Sequence, residues 1–311
     1  MGVSVGIDVS KQHLDWVLGS EAKPQQIRNT PAGIRRLVTR LGRERELDRI
    51  IVESTGGYKR ALAEVLDQAG LPVLVVNPWR VRRLGEGLGI LAKTDAVDAR
   101  VLALFGERAA PPLRQIPSPT DRQMADLVQR RRQLIAMVVA EKNRLEHATA
   151  MVRRDILALI KVIERRVVKL DQAIDQEIEA NVAKADTRRR LEAVPCIGRG
   201  IARVLTIELP ELGTLGRRQI ASLVGIAPFA NDSGKKQGHR RIRAGRSGPR
   251  TALYLAAMNA SRFNPVLKPI YDRLIAAAKP PKVAYIAIAR KLRIILNAMV
   301  RDGTEWQHQP I

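Results

Sequence analysis

Val3-Ser4-Val5-Gly6-Ile7-Asp8, followed after a short polar turn by His13-Leu14-Asp15-Trp16-Val17-Leu18, reads as a core strand and its hairpin partner. Short apolar runs bounded by turn residues are strand signals, and the first of these ends on a carboxylate. A second run, Ile50-Ile51-Val52-Glu53, ends the same way. Ionised carboxylates crowded at the tips of buried strands are costly unless a cation neutralises them. A third acidic element is Lys93-Thr94-Asp95-Ala96-Val97-Asp98-Ala99-Arg100. Thr94 is suited to cap a helix there, and the i, i+3 spacing puts Asp95 and Asp98 on one face. Asp8, Glu53, Asp95 and Asp98 are thus candidate ligands of a divalent-metal site of the kind that cuts phosphodiesters. Singly, each acid has an ordinary explanation as a turn residue or a complement to a helix dipole. The set carries the inference.

Working outward, Gln25 to Arg28 adds a third strand, and a helix is expected from Pro31 to about Arg45. Then come the strand ending at Glu53, a helix around Lys59 to Gln68, a strand Pro72 to Val76 and a helix from Thr94 to about Glu107. Three antiparallel strands followed by αβαβα is the order of ribonuclease H. The expected fold class is therefore α/β plus all-α, with a ribonuclease-H-like, resolvase-type domain over residues 1–110. Pro111, Pro112, Pro117 and Pro119 mark a linker over 111–119, since clustered prolines neither continue a helix nor enter a sheet. From Thr120 to Val194 there is no Gly or Pro. Leu145, Ala148, Val152, Ile156, Leu159, Ile163, Val167, Leu170, Ile174 and Ile178 recur there at spacings of three and four. That is the seam of a long helix or helical hairpin over 120–190, and spacing alone leaves open a bundle within the chain or a coiled coil between chains.

A mainly helical domain is expected over 191–311. Val194-Pro195-Cys196-Ile197-Gly198-Arg199-Gly200 resembles the turn of a helix-hairpin-helix element, in which Gly198 and Gly200 let backbone amides approach a phosphate. A plain helical turn is the competing reading. Further on, Gly225 to Gly234 is incompatible with a helix, and a run of cations follows: Lys235, Lys236, His239, Arg240, Arg241, Arg243, Arg246 and Arg250. A charge run is usually a solvated face. Here glycines alternate with the cations, which suits a loop tracking a phosphate backbone. Three helices finish the chain.

Composition points the same way. The 311 residues hold 54 Lys plus Arg against 31 Asp plus Glu, a formal charge of +23. A chain this basic is built to meet a polyanion. No apolar run reaches the roughly 20 residues of a membrane span, and the single Cys196 leaves no disulfide framework or Cys-rich zinc site. A cytoplasmic, nucleoid-associated location is expected. Aromatic residues make up 3% of the chain, so phosphate contacts rather than base stacking are expected to carry affinity.

Four blocks in order, Gly6-Ile7-Asp8-Val9-Ser10-Lys11, Glu53-Ser54-Thr55-Gly56-Gly57-Tyr58, Lys93 through Ala99, and Gly225 through Arg246 with Asp232-Ser233-Gly234, resemble the transposases of the insertion-sequence-110 type, relatives of the Piv DNA invertases. Leu253-Tyr254-Leu255-Ala256-Ala257 and Asn264-Pro265 fit too. Cys196 and Ala244 depart from the pattern, each standing where glycine is expected. The resemblance implies a DEDD site of Asp8, Glu53, Asp95 and Asp98 binding Mg²⁺, in unknown number, and a C-terminal serine transposase domain with Ser233 as nucleophile. It also implies site-specific recombination of target and donor double-stranded DNA, guided by a structured bridge RNA. Loop statistics alone favour a turn-forming role for Ser233.

The basic residues Lys235, Lys236, Arg240, Arg241, Arg243 and Arg246, with Gly198 and Gly200, are the expected nucleic-acid contacts. A homo-oligomer, dimer or tetramer, is expected, with an active site shared between subunits. Rival readings are a resolvase-like nuclease using water as nucleophile, a kinase of the actin and sugar-kinase fold, and a non-enzymatic nucleic-acid-packaging protein. The kinase would need further glycine-rich loops, and the packaging protein leaves the four acids unexplained.

Overall fold

A computed structural model describes residues 2–53, 58–113, 116–230, 232–234, 238 and 241–307. The chain divides into two compact units, Met1–Pro117 and Ser118–Ile311.

The N-terminal unit is a five-stranded mixed sheet with helices on both faces. β1 (Val3–Val9), β2 (His13–Leu18) and β3 (Gln25–Arg28) form an antiparallel meander, and β4 (Leu47–Glu53) and β5 (Val73–Val76) add in parallel, giving the order β3-β2-β1-β4-β5. Alternation sorts the side chains. Val5, Ile7, Leu14, Trp16, Ile50 and Val52 face α1 (Pro31–Leu41) and α2 (Lys59–Gln68) in one buried cluster. Ile51, Leu74 and Val76 pack on the other face with Leu102 and Phe105 of α4 (Asp95–Ala109). α1 stops four residues earlier than expected, at Leu41, with Gly42 as its cap.

One helix was not expected: α3, Pro78–Gly87. Asn77 caps it by accepting from the Trp79 amide at 2.9 Å, and Pro78 supplies the fixed φ of a first helical residue. Pro119 likewise opens a helix rather than closing the linker. Ser118 caps α5 (Pro119–Arg144), accepting from the Asp121 amide.

The second unit begins with a helical hairpin. α5 runs to Arg144, a single 3₁₀ turn (Leu145–His147) and two extended residues reverse the chain, and α6 (Ala150–Glu179) packs back along α5. At 1.5 Å per residue α6 spans about 45 Å. Leu134 and Val138 pack against Ile156, Ile160 and Ile163 toward the tip, and Met124 and Val128 against Ile174 and Ile178 toward the base. Most of the expected seam is therefore used inside the chain, while Val152 and Leu159 stay exposed.

α7 (Val182–Glu192), α8 (Arg199–Glu208), α9 (Arg217–Val224), α10 (Ser247–Phe263), α11 (Lys268–Ala276) and α12 (Pro281–Asp302) build the largest core, around Leu205, Ile220, Leu253, Ala256, Ile288 and Leu292. Between α9 and α10 the expected loop carries a two-stranded ribbon, β6 (Pro228–Phe229) with β7 (Arg241–Ile242). Among the described residues no helix is long and apolar enough to cross a membrane.

Candidate active site

The geometry of the N-terminal unit starts from glycine. A Cβ on Gly6 would overlap the Ala99 carbonyl and the Ala103 amide, so β1 and α4 meet backbone to backbone. Ala99, Ala103 and Gly106 keep that side of α4 small, and Gly106 sits against Ser4. This close approach lays the first turn of α4 over the end of β1. Asp8 points to the α4 face, because it alternates with Ile7 of the opposite cluster. Glu53 shares that face with Ile51 at the end of the adjacent parallel strand. Thr94 caps α4 by accepting from the Val97 amide at 3.3 Å, and Asp95 and Asp98 follow in its first turn.

The four acids feel one another. The Asp8 carboxyl is pushed up from its ordinary 3.8 to about 6, first by burial and then by the charges of Asp95, Glu53 and Asp98. Asp98 is raised as well, by burial and by Glu53, against the opposing pull of Lys93 and Arg82. Like charges gathered on one half-buried face resist ionising together. Among the described residues no three such side chains close to metal-binding distance. The donor set still fits a hard divalent cation in kind: carboxylate oxygens on one face, with a charge repulsion that such an ion relieves.

Two further residues belong to this neighbourhood and escaped the sequence reading. Asp15 lies directly opposite Asp8 in the β1–β2 pair and is buried; Gln26 donates to its Oδ1 at 3.0 Å, and its Oδ2 has no partner among the described residues. The signal was an acid between Leu14 and Trp16 in a strand buried on both faces. Arg82 donates to the carbonyls of Leu91 and Ala92 and so ties down the segment leading into Asp95.

In the second unit Ser233 is exposed on the connection between β6 and β7. Asp232 Oδ1 accepts from the Gly238 amide at 3.1 Å, folding that connection, and Gly234 has φ +54°. Lys235, Lys236 and Arg240 lie outside the described residues. Arg241 and Arg243 are exposed. Arg246 is committed elsewhere. Its guanidinium forks onto both Glu211 oxygens at 2.6 Å and donates to the Glu208 carbonyl, which anchors the loop instead of leaving the charge free for phosphate.

Gly198 is the cap of α8 with open space where a Cβ would stand, and Gly200 lies in the first turn near Arg131. Both departures from the glycine pattern fall on left-handed backbone: Cys196 at φ +104° and Ala244 at φ +55°.

A sheet carrying clustered acids on one face, joined to a basic helical unit, is the framework of an enzyme acting on nucleic-acid phosphodiesters. A DEDD model for IS110 elements, described as a transposase, matches residues 5–151, and one described as transposase IS116/IS110/IS902 family matches residues 188–272. The chain belongs to the IS110 family of transposases, and it is a DNA transposase. The pilin gene-inverting proteins of Moraxella bovis and Moraxella lacunata are each 29% identical to it, over 82% of this chain and 80% of theirs. The insertion element IS110 uncharacterized 43.6 kDa protein of Streptomyces coelicolor is 24% identical, over 99% of this chain and 96% of its own.

Proposed function

We propose that this transposase cuts and rejoins DNA site-specifically through a phosphoserine bond at Ser233, with Asp8, Glu53, Asp95 and Asp98 holding Mg²⁺. The carrying observation is the gathering of those four acids at the ends of β1 and β4 and the start of α4, with Asp8 held up to about 6. The order β3-β2-β1-β4-β5, with β4 parallel to β1, supports reading the N-terminal unit as ribonuclease-H-like. When bound, the cation would stabilise negative charge on the phosphoryl and leaving oxygens.

The protein's own groups do the rest. Ser233 Oγ attacks the phosphorus and gives up its proton to solvent, and the deoxyribose oxygen of the scissile bond leaves and takes up a proton. The bond to serine preserves the phosphodiester energy for rejoining without ATP. Arg241, Arg243 and the neighbouring lysines would balance charge on the phosphoryl oxygens. The relatives named as gene-inverting proteins support recombination over simple hydrolysis.

A bridge RNA is part of the same reading, supported by a formal charge of +23, more than a short DNA site requires. A homo-oligomer, dimer or tetramer, is supported by Val152 and Leu159, members of the apolar seam that stay exposed near one face of α6 together with Met151. The place of action is then the nucleoid.

Trapping the adduct tests the mechanism. Unaltered protein with Mg²⁺ and cognate DNA should yield a denaturation-resistant protein–DNA species, absent in Ser233→Ala. Asp8→Asn should bind DNA without cutting it. Cleavage by Ser233→Ala at the parental rate would identify water as the nucleophile and a resolvase-like nuclease as the function.

A further inference from the structure

A second cluster of cationic side chains lies away in sequence from Ser233 and its basic loop, at the start of α9. α9 begins behind Gly216, a cap residue with no side chain to offer its first turn. Gln219 Oε1 takes the Gly216 amide at 3.1 Å. The amides of Arg217, Arg218 and Gln219 are left without an intrahelical acceptor, as at any helix start, and the helix dipole adds partial positive charge there.

Against this turn lies Arg293 of α12, only 4% exposed. Its Nη1 donates to the Arg217 carbonyl at 2.5 Å, and its buried Nε has no partner among the described residues. One turn along α12, Asn297 holds the Leu215 carbonyl and the Gly213 amide, so the loop entering α9 is fixed in place. Burial first, and then the positive charges of Arg217 and Arg290, hold the Arg293 pKa down at about 10. None of these three arginines has an ion pair among the described residues.

A buried guanidinium without a counter-anion is costly on its own. Here it sits under an uncapped helix start, within electrostatic reach of two more guanidinia. Open amides at a helix start together with guanidinium donors complement a tetrahedral oxyanion. We propose that the first turn of α9, with the exposed Arg217 and Arg290 and the buried Arg293 holding the turn and adding its charge from beneath, binds a backbone phosphate of the nucleic acid. This rests on the reading of the protein as a nucleic-acid recombinase and adds a contact to that substrate apart from the loop bearing Ser233.

The test uses the full chain in three forms: unaltered, Arg217→Ala/Arg290→Ala, and Arg293→Met. The first two arginines are exposed, so the double variant should fold; Met replaces a buried charge with a side chain of similar length. Binding of a fluorescent duplex of arbitrary sequence and of a structured RNA is followed as salt is raised. The double variant should lower the slope of log affinity against log salt by about one unit, the share of the single phosphate bound, and Arg293→Met by a part of that. Inorganic phosphate, compared with chloride at equal ionic strength, should raise the melting temperature of the unaltered protein but not of the variants. Unchanged slopes for both probes in well-folded variants overturn the proposal. A phosphate-dependent melting shift with unchanged slopes overturns it too, because the site would then take a free anion rather than nucleic acid. Cleavage of cognate DNA by unaltered protein is scored separately. Its failure counts against the recombinase reading, and the slopes still decide the phosphate site.

Discussion

Cys196 and Ala244 hold backbone conformations that suit glycine, φ +104° and +55°. The Cys196 thiol is half-buried, and burial pushes its pKa up to about 12, so it contributes packing rather than reactivity. Strained φ at a non-glycine residue costs about 1–3 kcal/mol. Cys196→Gly and Ala244→Gly should each raise the urea midpoint, and the pair should add, since the sites do not touch. The Ala244 gain should be nearer 1 kcal/mol, the cost of a side chain in the left-handed region. Lower midpoints in both would show that lost packing outweighs the strain. At Asp8 the folded state holds the carboxyl above its ordinary value. Ionised Asp8 therefore opposes folding, and that penalty grows as pH rises from about 4 to about 6. In chelator, Asp8→Asn should be more stable than the parent at pH 7.5, by about 1–2 kcal/mol once solvent screening of this partly exposed group is allowed for, and nearly equal to it below pH 4. A stability gap independent of pH would remove Asp8 from the acid cluster.

Two elements set the local architecture. α4 rides on β1 through Gly6, and a methyl there would meet the Ala99 carbonyl and the Ala103 amide. Gly6→Ala should lift α4 from the sheet, cost about 1–3 kcal/mol, and depress cleavage more than DNA binding, because Asp95 and Asp98 move with the helix. Equal loss of binding and cleavage would point to general unfolding. In the second unit the base of the hairpin is clamped by charge. Arg203 of α8 reaches Asp171 at 2.5 Å and Asp175 at 2.7 Å; Arg131 joins Asp171, and Arg188 joins Asp175. The Arg203 side chain is 8% exposed. Removing Arg203 takes away the guanidinium shared by both carboxylates while Arg131 and Arg188 stay beside them, so Arg203→Ala should cost about 1–3 kcal/mol in denaturant titrations. Arg203→Met, which keeps the apolar stem and leaves Arg131 and Arg188 on the two carboxylates, should recover only a part of that loss. Full recovery would show that shape, not charge, holds the hairpin.

For the whole molecule, the four acids belong to one unit and Ser233 to the other. The proposed chemistry needs both, and Val152 and Leu159 of the apolar seam stay exposed on the hairpin. If one subunit's serine serves another's carboxylates, mixing Asp8→Asn protein with Ser233→Ala protein should restore part of the cleavage that each lacks alone. Verified mixed oligomers without recovery would place both parts in a single chain.

The α/β unit was legible from Val3 to Glu53, because alternation along a strand and acids at strand ends are local properties that survive in any packing. So was the cap at Thr94. The sites where glycine was missing, Cys196 and Ala244, showed only through the family resemblance, and their left-handed φ came from the structure. α3 was overlooked although Asn77-Pro78 is a helix start, because its short apolar pattern is interrupted by arginines. The direction of the long helical seam was beyond sequence: spacing fixes which face is apolar, and only the reversal at Leu145–His147 makes α5 the partner of α6. Likewise the sequence marked Arg246 as one cation among many and gave Arg293 and Asp15 no distinction. Tertiary structure alone set Arg246 on Glu211, buried Arg293 beneath a helix start and placed Asp15 opposite Asp8, since the meaning of a charge depends on which neighbours the fold brings and how much water it removes.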